Sequence, residues 1–168
     1  MNSWSRFSVA SVLSLLLVCL SAGTDVLAQN GKKIPVASCR KEVGQGVKGL
    51  IFEVHGNQMP APGKGAPMRK GVRRTFGIFE ASNLSLAVKG KDDCFFRSPG
   101  SKLVKTARSE KDGCFALSLP PGKYSFFVRE KGQWYANSFG GEGEICQFEV
   151  FPDSVSKLDF RINHGAWY

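Results

Sequence analysis

Residues 112–128 constrain the fold more than any other stretch of the chain, because they alternate with a period of two on both sides of a turn. Every second residue there is large and apolar: Phe115, Leu117, Leu119, Tyr124, Phe126 and Val128. Pro120, Pro121 and Gly122 interrupt the alternation; proline fixes φ and lacks an N–H, while glycine tolerates a positive φ. The pattern predicts a hairpin of two half-buried antiparallel strands, reversing at residues 120–123.

The same alternation recurs along the chain, at residues 47–55, 72–80, 84–88, 103–108, 146–150 and 158–162. After residue 28 no stretch longer than about ten residues has the period of a helix. Seven to nine short strands at near-regular spacing are typical of an all-β protein. We therefore expect a single antiparallel β-sandwich domain over residues 46–168.

The first 28 residues are predicted to be a secretory signal peptide. Arg6 precedes an apolar core at residues 9–20, and Ala28 stands before the expected cleavage site. That core is shorter than the roughly twenty residues that span a bilayer, which disfavours a transmembrane anchor. Lipidation of Cys19 stays open as a minor alternative. Residues 29–45 are polar and are expected to form a flexible lead, and the protein is expected to be periplasmic, outer-membrane-associated or extracellular.

Four cysteines remain after the signal peptide: Cys39, Cys94, Cys114 and Cys146. An even number in an exported protein favours two disulfides, and four cysteines allow three connectivities. Of these we favour Cys39 with Cys146 and Cys94 with Cys114. No Cys-x-x-Cys spacing supports a zinc site.

The net charge of +9 is unevenly distributed along the chain. Residues 57–111 contain twelve Lys or Arg against four Asp or Glu, whereas residues 112–168 contain five against seven. The basic half is suited to an anionic surface such as an acidic polysaccharide or lipid headgroups, although an ordinary solvated surface has the same composition. The expected partner is an anionic polysaccharide or an envelope protein. Nucleic acid is not an expected partner, because the protein is expected to be exported and because its basic residues are not interleaved with aromatic ones.

Two loop regions are the expected binding edges. Residues 56–67 form a Gly/Pro loop, and residues 134–139 are aromatic and lead into a glycine-rich loop at 140–144. If the two regions meet at one end of the sandwich, they bring together the candidate ligand-binding residues Asn57, Gln58, Trp134, Tyr135 and Asn137. The alternatives are a solvated connection for the loop and core packing for Trp134 and Tyr135.

The sequence gives little support to catalysis, a metal or a cofactor. His55 and His164 fall at strand ends, with no nucleophile or metal motif beside them. Glu142 and Glu144 in the glycine-rich loop could offer oxygens to calcium, but the spacing of a calcium loop is missing. We therefore expect that the protein is not an enzyme and that it binds neither a metal nor a cofactor.

The pattern of residues 112–128, opening with Asp112-Gly113, resembles the core of the carboxypeptidase regulatory-like domains, which have a transthyretin-like (prealbumin-like) fold. Gly46-Val47-x-Gly49 is similar to the first strand of those domains. The segments 56–60 and 135–137 and the aromatic end of the last strand resemble stand-alone exported proteins of Bacteroidetes-type bacteria.

The resemblance, over residues 46–168, implies a non-catalytic module with a binding or structural role at the cell envelope, with a glycan or peptide ligand. The alternatives are a small hydrolase of the transthyretin-like type and a periplasmic accessory subunit of an envelope complex. Hydrolases of that type act on 5-hydroxyisourate and end in Tyr-Arg-Gly-Ser, and the tail at residues 165–168 departs from this motif.

Overall fold

A computed structural model of the chain describes residues 39, 41–59 and 69–167. The predicted signal peptide, most of the predicted lead and residues 60–67 of the Gly/Pro loop lie outside these residues. The described strands, in chain order, are β1 (Gly46–Asn57), β2 (Lys70–Gly71), β3 (Thr75–Glu80), β4 (Val88–Lys89), β5 (Phe95–Ser98), β6 (Leu103–Arg108), β7 (Cys114–Ser118), β8 (Gly122–Glu130), β9 (Gln133–Tyr135), β10 (Gln147–Val150), β11 (Val155–Lys157) and β12 (Phe160–Trp167). Eight of them have four residues or more.

The strands form two sheets, and the predicted all-β sandwich is confirmed. In the small sheet β1 is central, with β7 and β2 antiparallel along one edge and β11 and β12 parallel along the other. The large sheet has the order β4-β5-β9-β8-β3-β6, and β10 continues beside β8. The parallel pairing of β1 with β11 and β12 was not predicted, because the two strands come from the far end of the chain.

Aromatic rings from both sheets fill the core between them. Phe126 of β8 lies 5.0 Å from Phe76, 5.2 Å from Phe115 and 5.1 Å from Phe160, measured between ring centroids. Phe126 is completely buried. Burial of one such side chain stabilises the fold by about 1.5–3 kcal/mol, so this cluster holds the two sheets together.

The two strands of residues 112–128 form as predicted, but they do not pair with each other. β7 pairs with β1 in the small sheet, whereas β8 pairs with β3, β9 and β10 in the large sheet. The prediction of a hairpin was therefore wrong. The apolar residues explain the difference, because Phe115 and Phe126 contact each other from opposite sheets, across the core of the sandwich, and are not neighbours in one sheet.

The predicted disulfide pairing was also wrong, since Cys39 pairs with Cys114 across a Cα–Cα distance of 5.0 Å. Cys114 lies on the outer face of the small sheet, where it packs with Leu50 and with Cys39 itself. Cys94 and Cys146 are free thiols that precede strands of the large sheet. Cys94 and Cys146 therefore lie with the large sheet, whereas Cys114 lies in the small sheet. Alternation along the sequence does not show which sheet a strand joins, so it could not predict this separation.

Residues 84–88, predicted as a strand, are strand only at Val88. The side chain of Asn83 prevents a longer one, because its Oδ1 accepts from Ser85 N at 2.9 Å and its Nδ2 donates to Glu142 O at 2.7 Å. Side chains of this type compete with the ladder of a strand and stabilise turns instead.

Candidate functional site

A cleft of about 630 Å³ lies on the outer face of the small sheet, beside the segment that connects β9 to β10. Its walls come from β1, from β12 and from that segment. The lining residues are Phe52, Val54, Gln58, Arg69, Asn137, Ser138, Cys146, Gln147, Leu158, Asp159, Phe160 and Arg161.

The register of the small sheet determines the floor of the cleft. Phe52 of β1 is directly opposite Arg161 of β12, so both side chains lie on the outer face. The guanidinium of Arg69 lies over the Phe52 ring, 5.3 Å from its centroid, in a cation–π contact. The cleft therefore has an apolar floor with an arginine on two sides.

Asn137 attaches the β9–β10 segment to β12. Its Nδ2 donates to Arg161 O at 2.8 Å and also to Asn163 Oδ1. Asn163 Oδ1 accepts a further bond from Tyr135 OH at 2.7 Å. On the opposite wall, Gln58 Nε2 donates to His55 O at 2.8 Å. These bonds hold both amide side chains in place at the rim.

The five candidate binding residues have different positions. The structure brings Gln58 and Asn137 together in the cleft. Asn57 ends β1 beside it, and its Oδ1 accepts from Met59 N at 2.8 Å. Trp134 and Tyr135 lie outside the lining, in packing positions.

Trp134 packs in the large sheet, edge-on to Phe79 with the Arg129 guanidinium over its ring. Tyr135 is only 1% exposed and contacts Phe95 and Phe160 in the core. Core packing, the alternative role considered for these two residues, is the one that their contacts match.

The sequence analysis missed the two arginines of the cleft. Within the described part of the chain, neither Arg69 nor Arg161 forms an ion pair. The carboxylate of Asp159 accepts a bond from Leu50 N at 3.2 Å, which ties it to the sheet. Arg161 could have been found from the sequence, since it alternates with the inward-facing Phe160 and Ile162.

A chain of charged side chains closes one end of the sandwich. Arg74 donates to the carboxylates of both Glu53 and Glu130. His55 Nε2 lies 3.1 Å from Glu53 Oε2, and His164 Nε2 lies 3.4 Å from Glu130 Oε2. The two histidines, which have no partner at motif spacing in the sequence, thus each contact a carboxylate. Four different strands or their flanks meet in this network.

Burial perturbs three other ionisable groups. It raises the pKa of the Tyr135 hydroxyl from 10.0 to about 12, although bonds from Asn163 and Asn137 act in the opposite direction. Burial likewise raises the pKa of the Cys146 and Cys94 thiols. Since the thiolate is the reactive form, this shift lowers the reactive fraction of both cysteines at neutral pH.

The glycine-rich loop is closed by its own carboxylate. Glu144 Oε2 accepts from Glu142 N at 3.0 Å, and Gly140 N donates to Glu144 O at 2.8 Å. Within residues 39, 41–59 and 69–167, no three His, Cys, Asp or Glu side chains are grouped so that they could hold a metal ion. The same residues include no helix long and apolar enough to cross a membrane.

Comparisons with models of protein families, with curated proteins and with solved structures find no match to this chain. The resemblance to the carboxypeptidase regulatory-like domains therefore stays a prediction.

Proposed function

We propose that the protein is an exported, non-catalytic β-sandwich module that binds an anionic polysaccharide at the cell envelope. The observation that carries this proposal is the cleft, which joins Arg69 and Arg161 to the amides of Gln58 and Asn137. Guanidinium groups bind carboxylates with two parallel hydrogen bonds, which suits the two arginines of the cleft to the acidic groups of such a polymer.

The amide groups of the cleft have a defined polarity that fits a sugar. The nitrogens of Gln58 and Asn137 already donate to main-chain oxygens of the protein. Their amide oxygens are therefore left as acceptors for the hydroxyl groups of a ligand. A polysaccharide supplies such hydroxyls at each residue, and an acidic one adds the anion for the arginines.

Binding to a soluble acidic polysaccharide tests the proposal. Polygalacturonate should bind, neutral dextran should not, and the affinity should fall as the salt concentration rises. Arg161→Gln should weaken binding by at least about tenfold, because a hydrogen bond to a charged group contributes about 1.5–3 kcal/mol.

Arg97→Gln is the matched control, since Arg97 is an exposed arginine on β5 and does not line the cleft. It makes the same change in net charge. If Arg97→Gln and Arg161→Gln weaken binding equally, or if dextran binds as well as polygalacturonate, the cleft is not the site.

A small hydrolase is the second candidate, and the charged network at the end of the sandwich is the observation that favours it. A general base needs a partner that orients it, and His55 and His164 each have a carboxylate beside them. Decay of 5-hydroxyisourate measured with and without the protein tests this candidate. Equal rates would rule it out, whereas a faster rate that His164→Asn abolishes would support it against the non-catalytic proposal.

A further inference from the structure

The outer edge of β6 is a strand edge without a partner among the described residues. β6 (Leu103–Arg108) pairs with β3 along one side only. An unpaired edge presents a row of backbone donors and acceptors, and another extended chain can pair with it. The edge lies in the large sheet, whereas the floor of the cleft belongs to the small sheet.

The hydrogen-bond pattern shows which backbone groups of β6 are available. Ser109 N donates to Arg74 O at 2.9 Å, next to the directly opposed pair Thr75 and Arg108. Residues of an antiparallel strand point their backbone groups alternately toward the partner and away from it. The N–H and C=O groups of Arg108 and Thr106 therefore point outward, away from β3.

The side chains of β6 are also uncovered. Leu103 is 45% exposed and Val104 40% exposed, and in the whole strand only Ala107 is half-buried. The ladder with β3 is irregular between Ile78 and Phe79, where Val104 has no residue opposite it, so Leu103 and Val104 both remain open to an added strand.

The charge of this region has one sign. Lys102, Lys105 and Arg108 are cations, and there is no Asp or Glu from residue 94 to residue 109. Lys105 lies opposite the buried Ile78, so its stem is on the inner side of the sheet, and its Nζ donates to Ser118 O at 3.4 Å. An inward-pointing charge on an edge strand opposes pairing with a second copy, because like charges would meet across the new ladder.

We propose that the outer edge of β6 binds an extended acidic polypeptide segment, which adds to the large sheet as a further strand. The outward groups of Thr106 and Arg108 provide the ladder, and Leu103 and Val104 provide the apolar contact. Lys105 and Arg108 lie on opposite faces of the strand, so they select a segment with Asp or Glu on both of its faces. The same charges exclude β6 of another copy.

Binding of a labelled synthetic peptide of about ten residues, with glutamate at every third position and valine elsewhere, tests this proposal. Thr106→Pro removes one outward N–H without removing a bond to β3, and proline is tolerated on edge strands. It should weaken binding at least tenfold, while the control Thr106→Ala, which keeps the N–H, should change it less than twofold. Lys105→Glu should weaken binding by about fivefold through cross-strand repulsion.

The binding should also slow hydrogen exchange at the N–H groups of Thr106 and Arg108. The proposal is overturned if the peptide with lysine in place of glutamate binds as tightly, or if Thr106→Pro and Thr106→Ala behave alike. A dimer in sedimentation that Thr106→Pro converts to a monomer would overturn it in favour of a second copy. Arg161→Gln, in the cleft, should leave peptide binding unchanged, so this test is independent of the polysaccharide proposal.

Discussion

Replacing Tyr135 by phenylalanine should have opposite effects on stability at neutral and at strongly alkaline pH. The hydroxyl donates to Asn163 Oδ1 at 2.7 Å and so links β9 of the large sheet to β12 of the small sheet. In the Tyr135→Phe variant, Asn163 Oδ1 still accepts a bond from Asn137, so no buried acceptor is left unpaired. The expected loss at neutral pH is therefore about 1 kcal/mol, the net value of one hydrogen bond.

At alkaline pH the hydroxyl becomes a cost to the folded state. Burial raises its pKa from 10.0 to about 12, so the folded protein keeps the proton more tightly than the unfolded chain does. The stability that the protonated hydroxyl gives to the folded state is complete below pH 10 and is lost as the pH rises through about 12. Two pKa units correspond to about 2.7 kcal/mol at most, and solvent screening at the polar end of the sandwich reduces this to about 1–1.5 kcal/mol.

Urea unfolding followed by tryptophan fluorescence, at several pH values from neutral to about pH 12, measures both effects. The wild type should be more stable by about 1 kcal/mol at neutral pH, and the difference should shrink to zero or reverse near pH 12. Tyr124→Phe is the control for loss of a tyrosine hydroxyl, since Tyr124 donates to Pro120 O at 3.0 Å within its own turn. A difference between wild type and Tyr135→Phe that stays constant over this range would refute the reasoning.

Two further variants test the packing of the small sheet. Cys39→Ser should destabilise the protein by up to about 4 kcal/mol under oxidising conditions, because the Cys39–Cys114 disulfide spans a sequence separation of 75, and reductant should remove the difference. Gly49→Ala should prevent folding or lower the melting temperature sharply, because the new Cβ would meet Leu158 O at 1.7 Å, whereas Gly44→Ala, with no atom within 4 Å, should be neutral in the same thermal scan.

Alternation was sufficient to predict the class of the fold, because a sandwich with a buried face needs one apolar residue in every two along each strand. The core residues Phe115 and Phe126 were found in this way, and both are buried. Alternation does not specify which sheet a strand joins. A tight reversal and a crossing from one sheet to the other leave the same pattern of proline and glycine at residues 120–122.

The candidate site was predictable only in part, for a related reason. Gln58 and Asn137 come from two loops that would share a site if they met at one end of the sandwich, and they do line one cleft. Arg161 lies on the outer face of an edge strand. Charged residues are common at such positions, so the sequence alone does not mark this one as a binding residue. His55 contacts Glu53, only two residues away, whereas the partner of His164 depends on the packing of the two sheets, which brings Glu130 next to β12 only in the folded chain.

The position of β1 at the centre of the small sheet makes the folding of that sheet depend on strands that are far from β1 in the sequence. Leu50 N donates a hydrogen bond to Asp159 Oδ1, which is 109 residues away in the sequence. Along much of its length β1 also pairs with β11 and β12. Contacts this distant in sequence form slowly, because a long loop must close before any of them is gained. The small sheet cannot be completed until residues 155–167 have been synthesised, so β1 has no partner along that side while the segment between them is made.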